Sequence, residues 1–276
     1  MRFESIAEII DLDRYPLHRP ESATADMLLR EGRAALARDA LFSLPGFVRP
    51  EATTFMAAEL EARVPWATRL EAMNGSYGSD GKDWPVGHPR TAKHLFRYHQ
   101  VLNYQIPNDS PLRKVYCWEP MREFLRQLMG YETFHRSECP HLALTSKLAG
   151  EGDTDGWHFD GNDVVFSVLL REPEQGGLFE YMPYARTDAE ENYDAVAAVF
   201  AGNRDNVRIA KLAVGDLNVF QGNQTLHRVS PIQGGRKRIV GLFSYDRQPG
   251  TNFGEHYISL LRKRTPGILP LNLAAE

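Results

Sequence analysis

The chain has 276 residues, of which 42% are hydrophobic, 25% charged and 11% aromatic, ordinary globular proportions that allow a sizeable core. Lys and Arg number 32 against 36 Asp and Glu, a net charge of −4, so nucleic-acid binding through a strongly basic face is not expected. No stretch approaches the roughly 20 apolar residues of a membrane span, Met1 to Ser5 lack a charged-then-apolar export pattern, and Cys117 and Cys139 form neither a disulfide framework nor a CxxC pair. A cytoplasmic enzyme or binding protein is the expectation, with both cysteines as small buried apolar residues.

Ser22 to Leu36 sets apolar residues among charges at the spacing of an amphipathic helix. Leu41 to Val48 is a short strand closed by a turn, and Pro50 opens a helix through Val64 that buries Phe55, Met56, Leu60 and Val64. The glycines and prolines from 74 to 91 mark a long loop, a lid candidate. Ser110 and Pro111 start a further helix, which Pro120 interrupts or restarts and Gly130 ends.

Short strands then take over. Leu142 to Leu148 is one, followed by an acidic turn from Gly150 to Gly156. Val164 to Leu170 is almost wholly apolar, as a strand buried on both faces would be. Gly176 and Gly177 turn the chain into Leu178 to Tyr181, and a helix spans Asp188 to Phe200. Strands follow at Val207 to Leu212, Leu217 to Phe220 and Arg238 to Tyr245. This rhythm gives one domain over residues 1–276: a helical N-terminal part (about 1–135) and a barrel or sandwich core (about 140–250) with helices outside.

The chemistry concentrates in Trp157-His158-Phe159-Asp160-Gly161. In a strand, residues two apart share a face, so His158 and Asp160 would reach one point. A second histidine, His227, follows the pair Leu217 to Phe220 and Gln221 to Asn223. Two imidazoles and one carboxylate, leaving coordination positions open, are the ligand set of non-heme Fe(II) oxygenases; zinc would take a closed four-coordinate set. A His-x-Asp alone is common in sequences without metal. Arg236 and Arg238 come after His227 at equal strand parity, and a guanidinium grips a carboxylate through two parallel hydrogen bonds. Arg238 opens an apolar strand and is expected to point inward, whereas Arg236 adjoins the Gly234-Gly235 turn; Arg236 is the alternative.

His158-x-Asp160, His227 and Arg238, in the context of Gly215-Asp216 to Phe220 and Val229-Ser230-Pro231, resemble the Fe(II)- and 2-oxoglutarate-dependent dioxygenase superfamily over about residues 140–250. His158 to Asn162, Gly176 to Tyr181, Glu191 to Asp194 and Phe243 to Asp246 further resemble the subgroup of free-amino-acid hydroxylases and carrier-free amino-acid halogenases. The resemblance implies a mainly β fold with flanking helices, built on a double-stranded β-helix (jelly-roll, cupin-like) core. Fe(II) would be held by His158, Asp160 and His227. 2-Oxoglutarate would pair its far carboxylate with Arg238, helped by a hydroxyl such as Thr145 or Ser167, either of which is equally a buried, satisfied hydroxyl. O2 is the other cosubstrate; succinate and CO2 are released. Halogenases of the superfamily carry a small non-ligating residue where Asp160 stands, which leaves room for chloride, so hydroxylation is expected here.

The substrate is expected to be a small polar metabolite, a free amino acid or a derivative. Arg97 could hold a substrate carboxylate, with a surface salt bridge as the competing role, and Asn162 or Asp163 an amine. Glu138 and His141 are weaker candidates, and Trp157, opposite in parity to His158, belongs outside the barrel. The alternatives are a prolyl-type side-chain hydroxylase, a desaturating or cyclising oxygenase, and a non-oxidative cupin-like metal protein. Oligomeric state is not encoded in any motif.

Overall fold

The computed structural model describes residues 2–250 except 80, 162 and 163, and beyond them Phe253, Ile258, Leu261, Arg264 and Thr265. Helix α1 (Ala23–Asp39) is capped by the Ser22 side chain, which accepts from the Ala25 N–H at 3.2 Å, and ends at Ala40 in the left-handed conformation. Its buried stripe, Ala25, Leu28, Leu29 and Leu36, packs on strand β1 (Leu41–Leu44) and on α4 (Glu119–Met129). Helix α2 spans Pro50–Glu61 and α3 Pro111–Cys117. Trp118, extended, separates α3 from α4. Pro120 lies in the first turn of α4, where its missing N–H costs nothing, and Gly130 ends that helix.

The sequence signals miss one hairpin. Strands β2 (Thr68–Gly75) and β3 (Lys93–Val101) pair along eight registered residues, so the glycine-rich stretch is the loop between them. Both strands mix charges with apolar residues too irregularly for a clean alternation. Six of the next eight strands match expected segments: β4 (Leu144–Ala149), β6 (Val165–Arg171), β7 (Phe179–Met182), β8 (Arg208–Ile209), β9 (Leu217–Phe220) and β11 (Arg238–Phe243). Two need correction or addition. Strand β5 (Thr154–His158) occupies what reads as an acidic turn, which is confined to 150–153, and β10 (Leu226–Val229) carries the second histidine. Strand β8 is two exposed residues rather than six. Helix α5 is only Tyr193–Phe200, because Asn192 adopts the left-handed conformation ahead of it and residues 188–192 are not helical.

The strands form one antiparallel sheet in the order β1-β9-β6-β11-β4-β3-β5-β10-β7-β8, with β2 on the free side of β3. Strand β3 pairs with β4 through His99 to Val101 and with β5 through Phe96 and Arg97, and so bridges two halves. From β4 to β11 the chain passes back and forth between the half β9-β6-β11-β4 and the half β5-β10-β7-β8. That winding is a double-stranded β-helix, a jelly roll. The N-terminal helices and the outer face of the first half share one apolar core, with Phe47, Met56, Leu112, Leu125, Phe166 and Phe243 fully or almost fully buried. A second cluster, Trp157, Met182, Val196, Val199 and Leu226, seats α5 on the outside of the other half; Trp157 is therefore outside the barrel, as its parity requires. Among the described residues no helix is long and apolar enough to cross a membrane.

Candidate metal centre

The two halves enclose a cavity of about 230 Å³. His158, the last residue of β5, lies directly opposite His227 on β10, their ring centroids 4.1 Å apart. Asp160 Oδ1 is 3.6 Å from His158 Nε2, and Oδ2 is 3.6 Å from His227 Nε2. These three are the one cluster of potential metal ligands among the described residues. The reason Asp160 arrives there differs from the strand-parity expectation. Strand β5 stops at His158, and the Asp160 N–H donates to the Gly222 carbonyl at 3.0 Å. That bond returns the carboxylate to the imidazoles. A Cβ on Gly222 would lie 1.8 Å from Asp160 Oδ2, so any side chain there displaces the carboxylate. Gly222→Ala is expected to weaken divalent-metal affinity by about tenfold or more, the scale of losses caused by moving a supporting group. Titration against a competing chelator measures it, with circular dichroism showing that the fold persists.

Each imidazole is oriented by its own strand. His158 Nδ1 is 2.7 Å from the Gly156 carbonyl and His227 Nδ1 is 3.0 Å from the Thr225 carbonyl. A carbonyl only accepts, so both Nδ1 atoms carry a proton and both Nε2 atoms face Asp160. Burial opposes ionisation of Asp160, but His227 and His158 hold its carboxyl well below the usual carboxylate range. Two nitrogens and one carboxylate on one side of an open cavity suit Fe(II). Ligands about 2.1 Å from a metal at right angles lie about 3 Å apart, so the 3.6 Å separations need only a small closure.

A bulge in β5 decides what else faces inward. His158 pairs with His227, but Asp155 pairs with Val229, so the register slips between them. Asp155 and His158 consequently share the inner face although three residues apart, and Trp157 turns outward. Gly156 sits in the bulge, where a Cβ would lie 2.6 Å from the His94 Cβ. His94 Nε2 is buried without a hydrogen-bond partner; burial, reinforced by Arg228 and His158, pushes this histidine down to about 4. Between about pH 6.5 and 4 the unfolded chain holds this proton and the folded one does not, so stability falls as pH falls through that window. The part of that loss removed by His94→Phe is expected to be about 1–2 kcal/mol between pH 7 and 4.5, read from urea unfolding at each pH.

Arg238 opens β11, is 8% exposed and lines the cavity. Among the described residues its guanidinium has no hydrogen-bond partner. Burial pushes it down to about 10, with Asp155 acting in the opposite sense, so it stays charged at neutral pH. Thr145 on β4 and Ser167 on β6 line the same cavity, each in register with Leu242 of β11. Arg236 is excluded from it: exposed, it donates to the Glu172 and Pro173 carbonyls at 2.9 and 3.0 Å. Arg97 is also a correction. It pairs with Thr154 on the outer face of β3, and its guanidinium meets the Gly152 carbonyl and Asp153, 3.3 Å away. Of β3 it is Gln100 that lines the cavity. Asn162 and Asp163 lie outside the described residues. Glu138 and His141 do not line the cavity. Cys139 is buried, but Cys117 is exposed at the end of α3, contrary to expectation.

Several contributors carry no signal in the sequence. Ser76, fully buried, donates to the Trp157 carbonyl at 2.7 Å and accepts from the Phe159 N–H at 2.9 Å, gripping the chain on both sides of His158. The loop it belongs to is fastened to residues 191–193: Arg90 donates to Tyr193 Oη at 2.7 Å and to Glu191 at 2.8 Å, and Trp84 stacks on His88. Lys147, Asp155, Gln100 and Asn218 also face the cavity, because they are inward members of their strands.

Solved structures share this architecture. A non-heme α-ketoglutarate-dependent epimerase of nogalamycin biosynthesis, SnoN, aligns with TM-score 0.55 at 13% identity over 80% of this chain and 83% of its own. AviO1 from Streptomyces viridochromogenes Tue57 gives 0.55 at 16% identity, over 80% and 96%. HygX from Streptomyces hygroscopicus, solved with nickel, 2-oxoglutarate and hygromycin B, gives 0.52 at 13%, over 78% and 86%. No curated protein is detectably similar in sequence. The fold is the jelly roll of 2-oxoglutarate-dependent Fe(II) oxygenases such as these, and His158, Asp160 and His227 offer the donor set that suits such a metal. Residues 80–252 match the Halogenase D family, and the chain belongs to it.

Proposed function

We propose that this enzyme hydroxylates an unactivated C–H bond of a small polar metabolite, a free amino acid or a derivative, with release of succinate and CO2. The observation that carries the reading is the Asp160 carboxylate, seated 3.6 Å from both imidazole Nε2 atoms in space that Gly222 leaves free. Membership of a family named for halogenation makes this residue decisive. A halide needs the position that a carboxylate takes, and here the carboxylate is present.

His158, His227 and Asp160 would hold the metal, and Arg238 would bind the far carboxylate of 2-oxoglutarate, with Thr145 or Ser167 as a hydroxyl donor. Fe(II) with 2-oxoglutarate and O2 supplies the oxidising power for C–H cleavage. The chain supplies position and dryness. The Gly156 and Thr225 carbonyls fix the rotation of the imidazoles and aim their Nε2 atoms at one point. Phe220, Phe179 and Phe96 pack their rings 4.8, 5.6 and 5.2 Å from the histidines and keep water off them. A cavity of about 230 Å³ suits a small molecule, and HygX and SnoN have been solved with hygromycin B and nogalamycin RO bound.

Succinate release across free amino acids and simple derivatives, in the presence of chloride, with product mass measured, tests the reading. The expected product has gained one oxygen, and a chelator abolishes the turnover. A chlorinated product, or succinate release driven only by peptides, overturns it.

A further inference from the structure

Asp155 stands outside the triad that would hold the metal. It reaches the cavity only because of the bulge in β5. It is 8% exposed, and one oxygen, Oδ2, accepts from the Lys147 ammonium. The other, Oδ1, is buried with no hydrogen-bond partner. Burial opposes the charge of both groups, yet each holds the other ionised: Lys147 is raised, and Asp155 is lowered chiefly by Lys147. An ionised carboxylate with an unmet oxygen inside a cavity is costly unless a donor arrives.

2-Oxoglutarate cannot be that donor, since as a dianion it carries only acceptors. Arg238 answers one of its carboxylates, and Lys147 already neutralises Asp155. The demand at Oδ1 is therefore for an N–H that enters with the substrate. Gln100, on β3 in register with Lys147, presents a second buried acceptor without a partner, Oε1, in the same cavity.

We infer that Asp155, held by Lys147, is the recognition point for a protonated amine on the substrate. This rests on the amino-acid reading above and deepens it, because it separates substrates with a free amine from acylated ones. An amine donates a charge-assisted hydrogen bond to Oδ1; an N-acyl group is uncharged and bulkier.

The test uses full-length protein loaded with Ni(II) and 2-oxoglutarate, so that binding is read without turnover. The probes are free amino acids, their N-acetyl derivatives and alkylamines lacking a carboxyl group, followed by thermal shift and calorimetry. At least one free amine is expected to bind wild type while its N-acetyl form does not. Its affinity should fall by about tenfold or more in Asp155→Asn. Asp155→Asn leaves Lys147 without its partner, so Asp155→Asn/Lys147→Met, which removes both charges, is measured beside it and should show the same loss. Ni(II) and 2-oxoglutarate affinities should stay unchanged in the double variant. An amine that binds the double variant as tightly as wild type overturns the inference, as does loss of 2-oxoglutarate binding there. If carboxyl-free amines bind through Asp155 and amino acids do not, the inference stands and the amino-acid reading falls. If no amine binds wild type, both fall.

Discussion

Asp160→Gly should lose hydroxylated product by at least about a hundredfold and should bind divalent metal more weakly by at least about tenfold. The carboxylate is the one anionic donor in the triad, so removing it takes away both a ligand and the charge that offsets the cation. The fold should survive. Asp160 lies beyond the end of β5, and its backbone bond to Gly222 needs no side chain. In the metal-free protein the carboxylate interacts with both imidazoles, so the variant should lose some stability without unfolding. Asp160→Glu separates charge from shape. Its extra methylene must fit beside Gly222, where a single added carbon would already lie 1.8 Å from the native carboxylate, so it should retain less than half of the native turnover although the charge is kept. If Asp160→Gly binds metal and forms hydroxylated product at the native rate, Asp160 is no ligand.

The site is legible in the sequence to the extent that one local segment encodes it. His158 and Asp160 are neighbours, and the strand holding His227 follows a recognisable strand and turn, so the triad can be read from spacing and residue type. The route by which it forms is another matter. Parity on one strand would bring His158 and Asp160 together, but the strand ends between them, and a hydrogen bond from the Asp160 N–H to the carbonyl of a distant glycine makes the turn. Long-range pairing of this kind leaves no periodic trace. The same limit explains Arg97 and Asp155. Which face a residue presents depends on the register of β3 and on a bulge in β5, and neither can be counted from composition. Arg238 and Arg236 were separable, because the apolar run begins at Arg238 and leaves Arg236 in the turn.

Those two arginines give the sharpest contrast. Arg238→Ala should raise the 2-oxoglutarate requirement by roughly 30-fold to 4,000-fold, because truncating one partner of a buried charged pair costs about 2–5 kcal/mol. Arg236→Ala should leave it unchanged, since its guanidinium is exposed and bonded to the carbonyls of the neighbouring turn. Arg238→Met adds a second readout. Among the described residues Arg238 has no hydrogen-bond partner in the ligand-free protein, and burial opposes its charge, which destabilises the fold. Replacing it with an apolar side chain of similar length should raise the melting temperature of the ligand-free protein while abolishing the stabilisation that 2-oxoglutarate gives to the metal-loaded wild type. A structural arginine would behave oppositely, losing stability with its charge. If Arg238→Met melts lower than wild type and still responds to 2-oxoglutarate, the anion must be held elsewhere in the cavity, and Lys147 is the remaining cation that lines it.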